Sequence, residues 1–476
     1  MKLMSKFLIS SLLIAMMITV VHAQPPTLIW DDDVGTNAIA LSKDGNYVAV
    51  ASGNEVRFYG KESGTPLWTS TTPSGTFQSV AISADGDCVV AGTIFSGDSG
   101  DIAFWKDAKS RTSSSETPTW RSEDLGGGIF RRCLDMSDDG DYVVACGTGR
   151  WVFYWANAKI RTTTSESTSW KSQEFTHVSV VDLSSDGDYV AAGIGGISDF
   201  GVAYWKNARS LTGDPQGWNW LSTEPDTRIS DVAISDDGES VAAATGVAIS
   251  NDVGSVAAGL GVDSSVRYWA GAKSLSGDPA STWWTGAGIG FTSIDMSSDG
   301  DSVIAAGRPD LVSNIVLKEG ESTKAAINGF AGGTVYFWGG ARSLTGKPQV
   351  PTWTYDTDGI IHDVAIDDSG DYMAADANQL FPGKVFFFDF RGVLLWTYPI
   401  DYADKVSISA DGSTLAVGTA TLATGYLFDT GYTSSRPPVG GVLMPENKLV
   451  IIAPYLALAI VFAVVSTILI IKKRKD

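Results

Sequence analysis

Few residues of this chain are equipped for catalysis. Outside an apolar leader that contains His22, its histidines are His177 and His362. Two imidazoles exclude a histidine-rich metal centre and leave a Ser-His-Asp triad few candidates. His362 precedes Asp363 in a stretch with strand character, where a structural role is expected. Aspartates recur in pairs, as at Asp139 and Asp141 or Asp186 and Asp188. Such pairs could hold a hard cation, yet they lack the roughly six to eight oxygen ligands of a dedicated calcium loop and read as solvated turns. No metal site and no cofactor is expected. An enzyme built on this chain would bring acidic, basic and His side chains together at one point. A binding protein would present aromatic and polar loops instead.

The three cysteines, Cys88, Cys133 and Cys146, are too few for a disulfide framework. Cys133 and Cys146 flank Asp139-Gly140. A two-residue turn there pairs 137 with 142 and 133 with 146, in a non-hydrogen-bonded pair close enough to bridge. A three-residue turn places the thiols on opposite faces. Both registers stay open.

The two ends of the chain point to a compartment. Lys2 and Lys6 precede an apolar run to Val21, followed by Val21-His22-Ala23, so residues 1–23 read as a secretory signal peptide. Leu449 to Ile471 carries no charge and is long enough to span a bilayer; Lys472-Lys473-Arg474-Lys475 follows it and should face the cytoplasm. The expected plan is an ectodomain over 24–430, a linker over 431–448, a transmembrane helix over 449–471 and a basic tail over 472–476. The formal net charge of −20 argues against nucleic acid as a partner.

What must position any site is a repeat. Eight times the chain carries a turn of one kind, beginning at Ser42, Ser83, Ser137, Ser184, Ser235, Ser297, Asp367 and Ser409, with Asp-Gly or Ser-Gly inside it. β-branched runs such as Val80-Ala-Ile82 precede the turns and runs such as Val190-Ala-Ala-Gly193 follow them, which makes two strands of a hairpin. A third strand ends in aromatic residues, with Trp105, Trp155 and Trp205 spaced by 50 residues. A fourth carries Trp68, Trp120, Trp170, Trp220, Trp284, Trp353 or Trp396. Four short strands per unit describe a propeller blade. The last unit lacks a fourth strand, while Thr27-Leu-Ile-Trp30 stands alone at the start. Joining them closes an all-β, eight-bladed β-propeller; seven blades is the alternative if one unit is degenerate.

The Ser-X-Asp-Gly turn followed by Val-Ala-Ala-Gly is similar to the first hairpin of WD-repeat propellers and their bacterial and archaeal relatives. Ser63-Gly64-Thr-Pro-Leu-Trp68 and Gly392-Val-Leu-Leu-Trp396 resemble the Gly-X-X-X-Trp ending of quinoprotein-type repeats, which typically form eight blades. The resemblance covers roughly residues 27–430. The Gly-His and recurrent Trp-Asp pairs of WD repeats are missing. With its two apolar ends, the chain most resembles archaeal membrane-anchored surface propellers.

Such a ring has two faces. One carries the acidic turns and a basic segment after the third strand (Lys109, Lys159, Arg209, Lys273, Arg342), whose charges should pair. The other receives the insertions, above all Arg308 to Gly333, and a near copy of Val232–Gly246 at 247–261 that is identical at ten of 15 positions. Long loops on a rigid scaffold are where binding surfaces reside. Lys324, Asn328 and Phe330 are the candidate ligand-binding residues. The expected function is a cell-surface module that binds a cell-envelope protein or glycan and is held to the membrane by its own C-terminal helix. The alternative is an extracytoplasmic propeller enzyme, a hydrolase, a lyase or a quinone-dependent oxidoreductase.

Overall fold

The computed structural model describes residues 25–434 apart from 34, 97–98, 148–149, 196–199, 224–227, 246–264, 286–289, 309–331, 347, 379–382 and 420–423. The expected leader and spanning segment, and all but the first four residues of the linker, lie outside these residues. Among the described residues no helix is long and apolar enough to cross a membrane.

Each repeat begins with a turn whose side chains bond to its own backbone. In the third, the Ser137 hydroxyl donates to Asp139 Oδ1 at 2.7 Å, which also accepts the Asp141 N–H at 2.9 Å. Ser137 Oγ in turn accepts the Tyr142 N–H at 3.1 Å. Gly140 sits at φ 73°, and a Cβ there would lie 2.7 Å from the Cβ of Cys88 in the preceding blade. Only glycine fits both demands. The turn is therefore longer than a two-residue hairpin. Asp138 to Asp141 form the loop, closed by Ser137 N–H donating to Tyr142 O at 3.0 Å.

That geometry keeps the register of the two-residue reading and reverses its hydrogen-bond phase. Leu134 pairs with Ala145, which places Cys133 opposite Cys146. Cys146 N–H donates to Cys133 O at 2.9 Å, so the two are a hydrogen-bonded pair, not the non-hydrogen-bonded one expected. All three cysteines are free, buried thiols. Burial, and then the neighbouring Cys133, push the Cys146 thiol well above its ordinary range.

The described strands form eight four-stranded antiparallel sheets. In the third blade strands a to d are Leu134–Met136, Tyr142–Cys146, Val152–Ala156 and Trp170–Lys171. The eighth sheet joins the chain ends: Thr27–Asp32 pairs with Gly425–Asp429, Thr27 opposite Asp429 and Asp32 opposite Gly425. The ring has eight blades, and the seven-bladed alternative falls away.

Aromatic side chains weld blade to blade. The strand c ring of one blade stacks on its own strand d Trp, which meets the strand c Trp of the next, as in Phe104–Trp120 at 5.2 Å and Trp120–Trp155 at 6.3 Å. Each such Trp also donates its indole N–H across the seam. Trp68, Trp120, Trp170 and Trp220 reach the carbonyls of Ala108, Ala158, Ala208 and Ala272 at 2.8–3.0 Å. In the fifth blade the donor is Trp283, to Ala341 O at 2.9 Å, and not Trp284, whose ring lies against Arg267.

Candidate functional site

The two insertions spring from neighbouring places. Residues 246–264 leave the fifth blade after strand b, Ser240–Thr245, and return as strand c, Val266–Ala270. Residues 309–331 do the same in the sixth, between Ser302–Arg308 and Thr334–Gly339. Gly307 pairs with Thr334, and Gly333 is tied to Gly359 and Thr357, so the stem of the second insertion is firmly placed. Lys324, Asn328 and Phe330 lie outside the described residues.

On that face the inner end of the ring holds a cluster that sequence reasoning missed. Five residues before the turn serine, a bulge position carries a small hydroxyl in three blades. Ser179, Ser230 and Thr292 each donate from it to a carbonyl of the next blade, at 2.7–3.0 Å. In the third blade that position is Arg132, with φ 63°. Its guanidinium lies 3.0 Å from Asp231 in the fifth blade and 2.9 Å from Asp363 in the seventh. It also donates to the carbonyls of Thr292 and His362, at 2.6 and 3.0 Å. Arg131 meets Asp404 of the eighth blade at 2.9 Å, and Asp404 also holds Lys405 at 2.9 Å. The signal was the replacement of a hydroxyl by Arg at one offset of the repeat.

Burial sets the electrostatics. It pushes Asp231 up to about 6, against the pull of Arg132, and Lys405 down to about 8, with Arg131 adding to the shift. Burial acts downward on Arg132 too, but Asp231 and Asp363 outweigh it and hold the guanidinium above its ordinary value.

His362 and Asp363 precede strand a of the seventh blade, Val364–Ile366, and do not lie on it as expected. Asp376, fully buried, accepts the backbone N–H groups of both at 2.8 Å, and its other oxygen faces His362 Nδ1 at 3.6 Å. Acidic, basic and His side chains thus do converge at the channel, the feature expected of an enzyme. Their geometry is that of a brace. Each cation lies against a carboxylate or carbonyl of another blade or of its own, with Arg132 crossing from the third blade to the fifth, sixth and seventh.

The acidic-turn face is closed in the same way. The residue after the turn's first position alternates charged and small: Lys43, Asp138, Asp236 and Asp368 from four alternate blades, with Ala84, Ser185, Ser298 and Ala410 between. Lys43 Nζ lies 3.0, 3.2 and 3.9 Å from the three carboxylates. Backbone bonds run from turn to turn, including Ala84 N to Asp138 O, Asp138 N to Ser185 O, Asp236 N to Ser298 O and Ala410 N to Lys43 O, at 2.8–2.9 Å. Burial pushes Asp236 up to about 7, with Lys43 opposing. The expected pairing of basic segments with acidic turns holds at Lys109–Asp85, Arg209–Asp188, Lys273–Glu239 and Arg342–Asp237, at 2.9–3.7 Å.

No protein-family model and no curated protein matches the sequence. Solved structures do. The C-terminal WD40 domain of Sif2 superposes with a TM-score of 0.59 at 15% identity, over 85% of this chain and 98% of that one. The Dos1 propeller gives 0.58 at 10% identity, over 86% and 96%. The likeness shows a WD40-type propeller fold.

Proposed function

We propose that this chain is a membrane-anchored surface propeller that binds a cell-envelope protein or glycan through the face bearing its insertions. The observation that carries the reading is the origin of the two long insertions, 246–264 and 309–331, at the same junction of adjacent blades. Neighbouring loops on a braced ring form one surface, and the ring beneath is suited to protein interaction. Apolar Leu449 to Ile471 followed by four basic residues supports the anchor and the outward orientation. Replacing residues 311–332 by a short Gly-Ser turn is expected to leave folding intact and reduce binding to envelope extracts. Unchanged binding would move the site elsewhere. Protease added to intact cells should remove the propeller; a protected propeller would reverse the topology.

A further inference from the structure

Among the described residues, five of the eight blades have the outer edge of strand d covered by the next blade. The residue after the seam Trp shares backbone bonds with the segment between strands c and d of that neighbour. Thr69, Arg121, Lys171 and Trp284 accept the N–H groups of Glu116, Glu166, Gln216 and Gln349 at 2.7–2.8 Å, and Leu221 donates to Gly277 O at 3.0 Å. The bridges formed in this way, such as Ser122 with Glu166 and Ser172 with Gln216, are parallel to strand d. The ring thus lays extended chain along its own rim.

The covering stops at the sixth blade. There the equivalent residue is Thr354, in the seventh Thr397 and in the eighth Asp31. All three are exposed, whereas the five covered residues are half-buried. In the seventh blade residues 390–393 alone join strand c to strand d, against 157–169 in the third, and so short a turn lays no strand on the sixth. The eighth edge is approached by Gly64, where a Cβ would lie 3.1 Å from Asp31 O. The seventh ends in Pro399, which offers no N–H and so guards its edge. The sixth, Trp353–Asp356, has neither protection. Thr352 donates its N–H inward to Phe337 O at 2.7 Å, as Thr119 does to Phe104 O in the second blade, so Thr354 turns its N–H and C=O outward as Arg121 does. Exposure alternates along this stretch: Val350, Thr352, Thr354 and Asp356 are exposed and the residues between them less so, with Val350 at 79%. The Asp356 carboxylate accepts the Thr334 hydroxyl at 2.8 Å and meets no cation among the described residues.

We propose that the outer edge of strand d in the sixth blade is a docking site for an extended segment of a partner protein. The segment adds as a fifth strand, with an apolar residue beside Val350 and a Lys or Arg beside Asp356. Main-chain pairing supplies the affinity and the alternate side chains the specificity. Two observations name this occupant. The ring itself fills five equivalent edges with extended chain. A formal net charge of −20, together with an Asp356 that meets no cation, selects a basic strand. The site lies on the outer rim and is independent of what the insertion face binds.

The test uses the full-length protein and hydrogen exchange at the Thr354 and Asp356 amides, with acetyl-Val-Lys-Val-Lys-Val-amide as the probe. Without the probe these amides should exchange faster than that of Arg121, whose equivalent edge is covered. At about ten times its Kd, the probe should slow them roughly tenfold. The same peptide with Glu in place of Lys should give clearly less protection. Asp356→Asn keeps an oxygen for Thr334 and should weaken the lysine probe about three- to fivefold, as loss of one exposed charge pair does. Unprotected Thr354 and Asp356 amides in the presence of the lysine probe would overturn the proposal. So would amides that are as slow as that of Arg121 before any probe is added, because the chain's own residues 435–448 would then fill the edge. Protection that grows with protein concentration alone would assign the edge to a second copy of the chain and overturn it equally.

Discussion

Arg132 and Lys43 sit at opposite faces of one ring and act alike: each carries a single positive charge to carboxylates on blades that are not its neighbours. The carboxylates around the channel outnumber these cations, and burial raises them. Asp135 and Asp231 are pushed up to about 6, Asp236 and Asp295 to about 7, from 3.8. Asp135 and Asp295 accept the N–H groups of Leu183 and Ile366 in the next blade, at 2.9 Å each. Because their folded values exceed the unfolded ones, the folded state binds more protons between about pH 4 and pH 7. The stability they contribute is fully present below 3.8 and is lost as pH rises through 6 to 7. Asp85, Asp237 and Asp411 behave oppositely: hydrogen bonds outweigh burial and hold them low, so their contribution is lost only in stronger acid. Thermal melts are therefore expected to give a higher Tm near pH 5 than near pH 8. A Tm that climbs steadily to pH 8 would show that the axial carboxylates are charged in the folded state. The axial carboxylates were hard to read in advance because each acts on a blade other than its own, where no sequence spacing reports proximity. The alternation of Lys43, Asp138, Asp236 and Asp368 with small residues becomes visible when the eight turns are aligned, and it points inward, as does Arg132 at the offset that carries a hydroxyl in three other blades.

At the scale of the element, the strand d Trp explains why strands as short as Trp170–Lys171 persist. Its ring stacks on Tyr154 at 5.1 Å and its N–H closes on Ala208 O at 2.9 Å in the next blade, so one residue serves two blades. Trp170→Phe keeps a ring and strands the carbonyl, and should cost about 1–2 kcal/mol. Trp284→Phe, by contrast, removes no such bond and should cost clearly less. Urea unfolding of the two variants checks the difference; equal midpoints would mean that the indole N–H contributes nothing. The Trp column was legible as a repeat. Which of Trp283 and Trp284 points into the seam was not, since neighbours on a strand face opposite ways and a one-residue slip exchanges them. The Ala carbonyl was invisible for a different reason: a backbone acceptor has no residue type. The same limit hid the turn's length and hydrogen-bond phase, so the turn residues left two registers open for Cys133 and Cys146, and the observed pairing is the one of the two that places them opposite each other.

The whole molecule depends on a junction that the repeat by itself cannot make. Seven blades are each one continuous stretch of chain, whereas the eighth is built from Ala403–Asp429 and the strand Thr27–Asp32. The orphan Trp30 strand and the unit short of a strand made this closure readable from sequence, because an open array would leave two unpaired edges. The insertions were equally readable as interruptions of the repeat, but irregular loops carry no periodicity from which to derive a surface. Thr27–Asp32 does more than fill an edge. Trp30 is 6% exposed and stacks on Tyr59 of the first blade at 4.9 Å, and the Tyr59 hydroxyl donates to Asp32. Removing residues 27–31 would therefore bare the edge of Gly425–Asp429 and open the seam between the eighth blade and the first. A cooperative ring should respond as a unit, with a lower Tm for the entire propeller and association through the exposed edge at high protein concentration. If the truncated protein melted with the intact one and stayed at the same mass in solution, the N-terminal strand would be an ornament on a ring that closes without it.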